Sequence, residues 1–215
     1  MIRAKELGGR AVVDVDAAEK LGKIDRVVLD PEGRRVAGFV IGHGSSIFNN
    51  DTAVMLPASC VHAIGPDAVT VHRGPELAAD DASTRFEGLP RVSDIAGRKV
   101  VSDEGRLMGT VDDILIDETD GRILGYALDD AGVIDKLRSP VDADSRHPRG
   151  GFLRADANLR AGKDLIVAPE DAISYDWDTL GTAQAIAADA PRRWTSATPV
   201  AGLQPTQWVR TDGNQ

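Results

Sequence analysis

One cysteine, Cys60, stands alone in 215 residues, so no internal disulfide can form and nothing implies an oxidising compartment. Aromatics make up only 4 % of the chain, which leaves the core to aliphatic side chains. Cations are outnumbered: 25 Lys and Arg stand against 34 Asp and Glu, a net charge of −9. A surface for phosphate backbones needs clustered cations, so no direct nucleic-acid binding is expected. No apolar run approaches the roughly 18 residues of a spanning helix, and no membrane span is expected. The opening Met1-Ile2-Arg3-Ala4-Lys5-Glu6 lacks the apolar core of a secretory signal. A cytoplasmic setting is the default expectation.

What the chain does have is a repeat. Leu21-Gly22-Lys23-Ile24-Asp25-Arg26-Val27-Val28-Leu29-Asp30 recurs as Leu107-Met108-Gly109-Thr110-Val111-Asp112-Asp113-Ile114-Leu115-Ile116-Asp117. Each copy reads as a strand that turns and comes back. β-branched residues dominate, as on a pleated, half-buried surface. The shared apolar positions 24, 27 and 29 are spaced three and then two, and one extra residue is what a bulge supplies. A strand bent in this way can coil round a small barrel. Pro31 and Gly33 suit the first turn, and Asp120-Gly121 the second. The returning strands place Val36, Gly38 and Val40 on one face, Phe39 and Ile41 on the other. The copy places Ile123, Gly125 and Ala127 against Tyr126 and Leu128. Apolar residues on both faces suit a closed or covered sheet. Gly38 and Gly125 interrupt β-branched runs, which marks places of close approach.

Around the hairpins, residues 3–10 match 91–98, each a short helical lead-in ending at a glycine. Strands follow at Ala11 to Val15 and at Lys99 to Ser102. The first copy continues through a Gly/Ser/Asn loop, Gly42 to Asp51, then strands at 54–56, 61–64 and 69–71. The second ends Leu165-Ile166-Val167, then Ala168-Pro169-Glu170-Asp171, then Ala172-Ile173-Ser174, and its central loop, about 130–163, is longer by about 25 residues; such loops are usually functional or mobile. Residues 182–190 are Ala-rich and suit two helical turns, ended by Pro191.

These motifs, with Gly38-Phe39-Val40-Ile41, Leu56-Pro57 and Val167-Ala168-Pro169, resemble the PRC-barrel family. That family takes its name from the photosynthetic reaction centre H subunit and includes the C-terminal domain of the ribosome maturation factor RimM. The resemblance implies an all-β fold: two tandem small antiparallel barrels with a C-terminal extension. The expected division is barrel 1 over 1–75, a linker over 76–90, barrel 2 over 91–176 and an extension over 177–215. It implies adaptor or assembly roles, with no enzyme activity and no catalytic residues to carry over.

The residues themselves point the same way. Asp112, Asp113, Asp117, Glu118 and Asp120 crowd together but lack the spacing of a calcium loop. His43, His62, His72 and His147 are dispersed, so no zinc site is expected. Cys60 reads as a small buried hydrophobe, and Ser45 and Ser46 as flexible loop residues without a nucleophile or phosphate motif. No catalytic set, metal or cofactor is expected. The candidate interaction residues are Trp177, Trp194 and Trp208 in the extension and Arg146, His147 and Arg149 in the long loop. Large aromatics in an aromatic-poor chain need burial, against the barrels or in a partner. Two or more of the three Trp are expected to be buried. The expected function is a non-enzymatic protein-interaction or assembly adaptor, with a protein partner and a possible homo-oligomer. The alternative is an RNA- or ribosome-processing factor resembling RimM.

Overall fold

The computed structural model describes residues 1–32, 34–42, 54–72, 86–129, 150–162 and 164–177, with Leu180 and Trp194. The loop at 43–51, Gly33, His43, Ser45, Ser46 and the Ala-rich 182–190 lie outside those residues.

The chain opens with β1 (Ile2–Arg3) and α1 (Ala4–Leu7). β2 (Ala11–Asp14), β3 (Glu19–Asp30), β4 (Arg35–Gly42), β5 (Val54–Pro57), β6 (Val61–Ile64) and β7 (Ala68–Val71) then form one sheet, ordered β5-β4-β3-β2-β7-β6. The second copy starts with α2 (Val92–Ile95). It continues with β8 (Lys99–Ser102), β9 (Leu107–Ile116), β10 (Ile123–Asp129), β11 (Phe152–Arg154), β12 (Arg160–Ala161) and β13 (Leu165–Ala168), ordered β12-β13-β8-β9-β10-β11. β14 (Ile173–Ser174) adds to the free edge of β11. The copies agree strand for strand: β2 runs parallel to β7 and β8 parallel to β13, and the other pairs within each sheet are antiparallel.

Two details correct the sequence reading. Residues 150–162, placed in the long loop, carry β11 and β12, each too short for periodicity to reveal. β11, not Leu165–Ala168, is the counterpart of β5, because Gly38 faces Pro57 and Gly125 faces Arg154. The proline turn recurs in conformation, as the 3-10 turns Ala58–Cys60 and Glu170–Ala172. It joins β5 to β6 in the first copy but β13 to β14 in the second. Both sheets roll far enough for three or four residues to connect strands at or next to their opposite ends. Among the described residues neither strand order closes into a ring.

The curvature comes from bulges at equivalent places. In the first copy the extra residues are Leu21, Asp25 and Ala37; in the second they are Met108, Asp112 and Leu124. A bulge resets side-chain alternation. Ile24, Val27 and Leu29 therefore share one buried face, as their spacing implied. Val36, however, joins Phe39 and Ile41 rather than Val40, and Ile123 joins Tyr126 and Leu128, because Ala37 and Leu124 are the inserted residues. Gly38 and Gly125 sit at the expected close approaches. A Cβ at Gly38 would strike the Leu56 carbonyl and the Phe86 ring, and one at Gly125 would lie 2.6 Å from the Leu153 carbonyl oxygen.

The two copies hold each other through their lead-ins. β1 pairs with β9, Arg3 opposite Leu115; reciprocally, Arg91 bridges to Val28 in β3. At the hairpin ends Val36 N–H donates to the Gly121 carbonyl and Ile123 N–H to the Arg34 carbonyl, each at 2.8 Å. Arg35 faces Arg122, its own counterpart. These exchanges define a pseudo-two-fold axis. Across it Val27, Leu29, Phe39, Ile114, Ile116 and Tyr126 belong to one buried cluster. Burying a large aliphatic or aromatic side chain is worth roughly 1.5–3 kcal/mol, so this shared face is a main source of stability. The outward faces carry matching smaller clusters. Phe86 covers Val28, Ala37 and Val40, while Leu180 and Trp177 cover Leu115, Ala127 and Phe152. Among the described residues no helix is long and apolar enough to cross a membrane.

Candidate functional site

The tail re-enters the fold at the seam. Trp194 is 5 % exposed, its ring tilted against Phe39 at 5.9 Å between centroids. It packs against Gly121, where a Cβ would stand 2.5 Å from a ring carbon. Its Nε1–H donates to the Glu118 carbonyl at 3.3 Å. The turn that shapes this socket is set locally. The Asp117 carboxylate accepts from Thr119 N–H at 2.9 Å and from its hydroxyl at 2.6 Å, and Gly121 adopts φ +74°. Trp194, a candidate partner anchor, is thus spent inside the chain. Trp177 is half-buried, its ring 5.0 Å from that of Phe152. Trp208, Arg146, His147 and Arg149 lie outside the described residues.

Near the other hairpin end a cavity of about 370 Å³ opens between Pro31, Arg34, Ile95, Tyr126, Leu159 and Ile166, with Glu32 and Asp156 also on its wall. The size is that of a small-molecule site, and the lining is mixed, with more polar than apolar surface. Burial pushes the Tyr126 hydroxyl up to about 12, against the pull of the nearby Arg34 charge, so it stays a neutral donor at ordinary pH. Tyr126 was not a sequence candidate.

The deciding comparison is with family models. The PRC-barrel domain matches residues 1–78 and again 87–171. The chain belongs to the PRC-barrel family. No curated protein matches it significantly. Phe86, β14, Trp177, Leu180 and Trp194 all fall outside the two matched PRC segments.

The acidic run serves the PRC seam. Asp112 accepts from Lys5 Nζ at 2.7 Å and from Arg3 at 2.9 Å, tying the lead-in of the first copy to the bulge of the second. The Lys5 hydrogen bond, helped by both cations, holds the Asp112 carboxyl below its ordinary value despite partial burial. Asp113 is 1 % exposed and accepts from Ile114 N–H and Lys5 N–H; burial pushes its pKa up in spite of those bonds. Among the described residues the first copy shows no such clamp, and Asp25 pairs with its neighbour Arg26 at 2.9 Å. Cys60 is buried and free of a disulfide. His62 and His72, scattered in sequence, meet on the surface. His72 sets Nε2 3.2 Å from His62 Nδ1 and Nδ1 3.1 Å from the Asp16 carboxylate. The three groups form a line through the His72 ring and do not converge. Among the described residues no cluster of three His, Cys, Asp or Glu is arranged to hold a metal.

Proposed function

We propose that this tandem PRC-barrel chain is a non-enzymatic adaptor whose two rolled sheets act as one rigid body in the cytoplasm. The observation that supports this most is the reciprocal seam, in which each lead-in pairs with the other copy's long strand. A body fixed in this way presents its surfaces at constant spacing and loses little freedom on docking. The second copy is longer in sequence at 130–149, so the pseudo-symmetric unit has one distinguished side. We assign partner contact to that segment, which carries Arg146, His147 and Arg149, and to the tail around Trp208.

The test is affinity purification of cross-linked complexes with the full chain and with a form lacking residues 130–149. The adaptor reading expects a stoichiometric protein partner that is lost with the segment while the unfolding midpoint holds. Co-sedimentation of the full chain with ribosomes would replace this reading by that of a RimM-like processing factor. The net charge of −9 weighs against direct RNA contact.

A further inference from the structure

The open cavity has a filled twin. Ile123 N–H donates to the Arg34 carbonyl as Val36 N–H donates to that of Gly121, so Arg34 and Gly121 are counterparts. Both adopt left-handed φ, +51° and +74°. Tyr126 pairs with Ile114 as Phe39 pairs with Val27, so Tyr126 and Phe39 are counterparts too. On one side of the axis Trp194 lies on Gly121 and Phe39. On the other, the equivalent space beside Arg34 and Tyr126 is the cavity.

Both exchanges replace an apolar group by a polar one. The Cβ of Arg34 excludes an indole from the pose that Trp194 takes over Gly121, since a Cβ there would stand 2.5 Å from the ring. What it leaves is room for a smaller ring with a guanidinium at its edge. Tyr126 is 7 % exposed, and no hydrogen bond of its hydroxyl is found among the described residues. The hydroxyl is not sealed from accessible space, so an acceptor in the cavity can reach it. Nor is any ion pair of Arg34 found among the described residues. Of the two carboxylates on the wall, Asp156 pairs with Arg154 at 3.2 Å, and Glu32 disfavours a ligand carrying more than one negative charge.

We propose that this cavity binds a small aromatic monocarboxylate. Its ring packs on Tyr126 and among Ile95, Leu159 and Ile166, as Trp194 packs on Phe39. Its carboxylate accepts from the Arg34 guanidinium and the Tyr126 hydroxyl.

The test is titration calorimetry of the full chain with phenylacetate and benzoate, and with the neutral phenylacetamide. The expected result is a dissociation constant of about 1 mM or tighter for at least one carboxylate, with the amide about tenfold weaker. Arg34→Gln should weaken the carboxylate about tenfold and Tyr126→Phe severalfold, both with unfolding midpoints unchanged; Phe is what the twin position already carries. No binding of either carboxylate, equal binding of the amide, or indifference to Arg34→Gln in a folded variant would overturn the proposal. So would binding that appears only after Trp208→Ala, which would give the cavity to the chain's own tail.

Discussion

The two copies share what bends a sheet and differ in what a surface can bind. Bulges fall at Leu21, Asp25 and Ala37 and again at Met108, Asp112 and Leu124. The close approaches at Gly38 and Gly125, the lead-ins and the outward apolar patches repeat as well. Against that constancy stand a few exchanges. Gly121 and Phe39 make a dry socket for Trp194, whereas Arg34 and Tyr126 line an open cavity. Asp112 gathers two cations from the other copy, whereas Asp25 keeps to its neighbour. A backbone constraint admits few residues, so it is retained in both copies. A side chain over a hollow is free to diverge.

The largest expected effect comes from emptying the filled socket. Trp194→Ala removes a buried ring and should cost about 3 kcal/mol or more in urea unfolding. Tyr126→Phe across the axis should change stability by less than about 1 kcal/mol. Similar costs at both positions would erase the distinction between socket and cavity.

The glycines sharpen the comparison from the side of likeness. Gly38→Ala and Gly125→Ala should each cost about 1–3 kcal/mol through overpacking. Gly38 should be the worse, because its Cβ meets the Phe86 ring as well as a carbonyl. In a Phe86→Ala background Gly38→Ala should then cost less than in the intact chain. Thermal unfolding of the double-mutant set measures this, and identical costs in both backgrounds would refute the close approach of Phe86.

The smallest effects concern charge. A carboxyl depressed in the folded state adds stability above the ordinary carboxylate range and loses it as pH falls through the depressed value. Asp112 is such a group, and its exposed pairs are screened, so Asp112→Asn should cost no more than about 1 kcal/mol at neutral pH and less in acid. Asp113 has the opposite sign: its raised pKa makes stability fall as pH rises through that value. Relative to the unaltered chain, Asp113→Asn should therefore fare better at pH 7 than at about pH 3, and Asp112→Asn worse. Unfolding curves at the two pH values check both slopes. Asp25→Asn in the first copy should stay within about 0.5 kcal/mol.

The hairpins, lead-in helices and bulges were legible because each signal occurs twice and rests on local chemistry. The extra residue showed in the spacing of Ile24, Val27 and Leu29, though not its consequence for Val36 beyond the second bulge. β11 and β12 were not legible, since two or three residues carry no period. The seam was hidden for another reason. A lead-in with the apolar pattern of Ile2, Ala4 and Leu7 could pair with its own copy or the other, and only long-range packing decides. The tail's need for burial was readable from its Trp residues, but Trp194 is largely buried and Trp177 only half. Tyr126 left one overlooked trace: it is one of the positions where the aligned copies turn from apolar to polar, Phe39 standing in the first. His62, His72 and Asp16 meet only because β6 and β7 pair and the turn after β2 comes beside them.

The central claim is that the two PRC units form one body around a shared core, each completed by the other's lead-in. The most direct test is the amide NMR spectrum of residues 1–78 alone and mixed with residues 79–215. Alone, the first unit exposes the face of Val27, Leu29 and Phe39 and lacks the Arg91 bridge, so the account predicts a collapsed or aggregated spectrum. Mixing should restore dispersed resonances at the shifts of the intact chain. A well-dispersed spectrum of residues 1–78 alone, unchanged on mixing, would show two independent units and contradict the account.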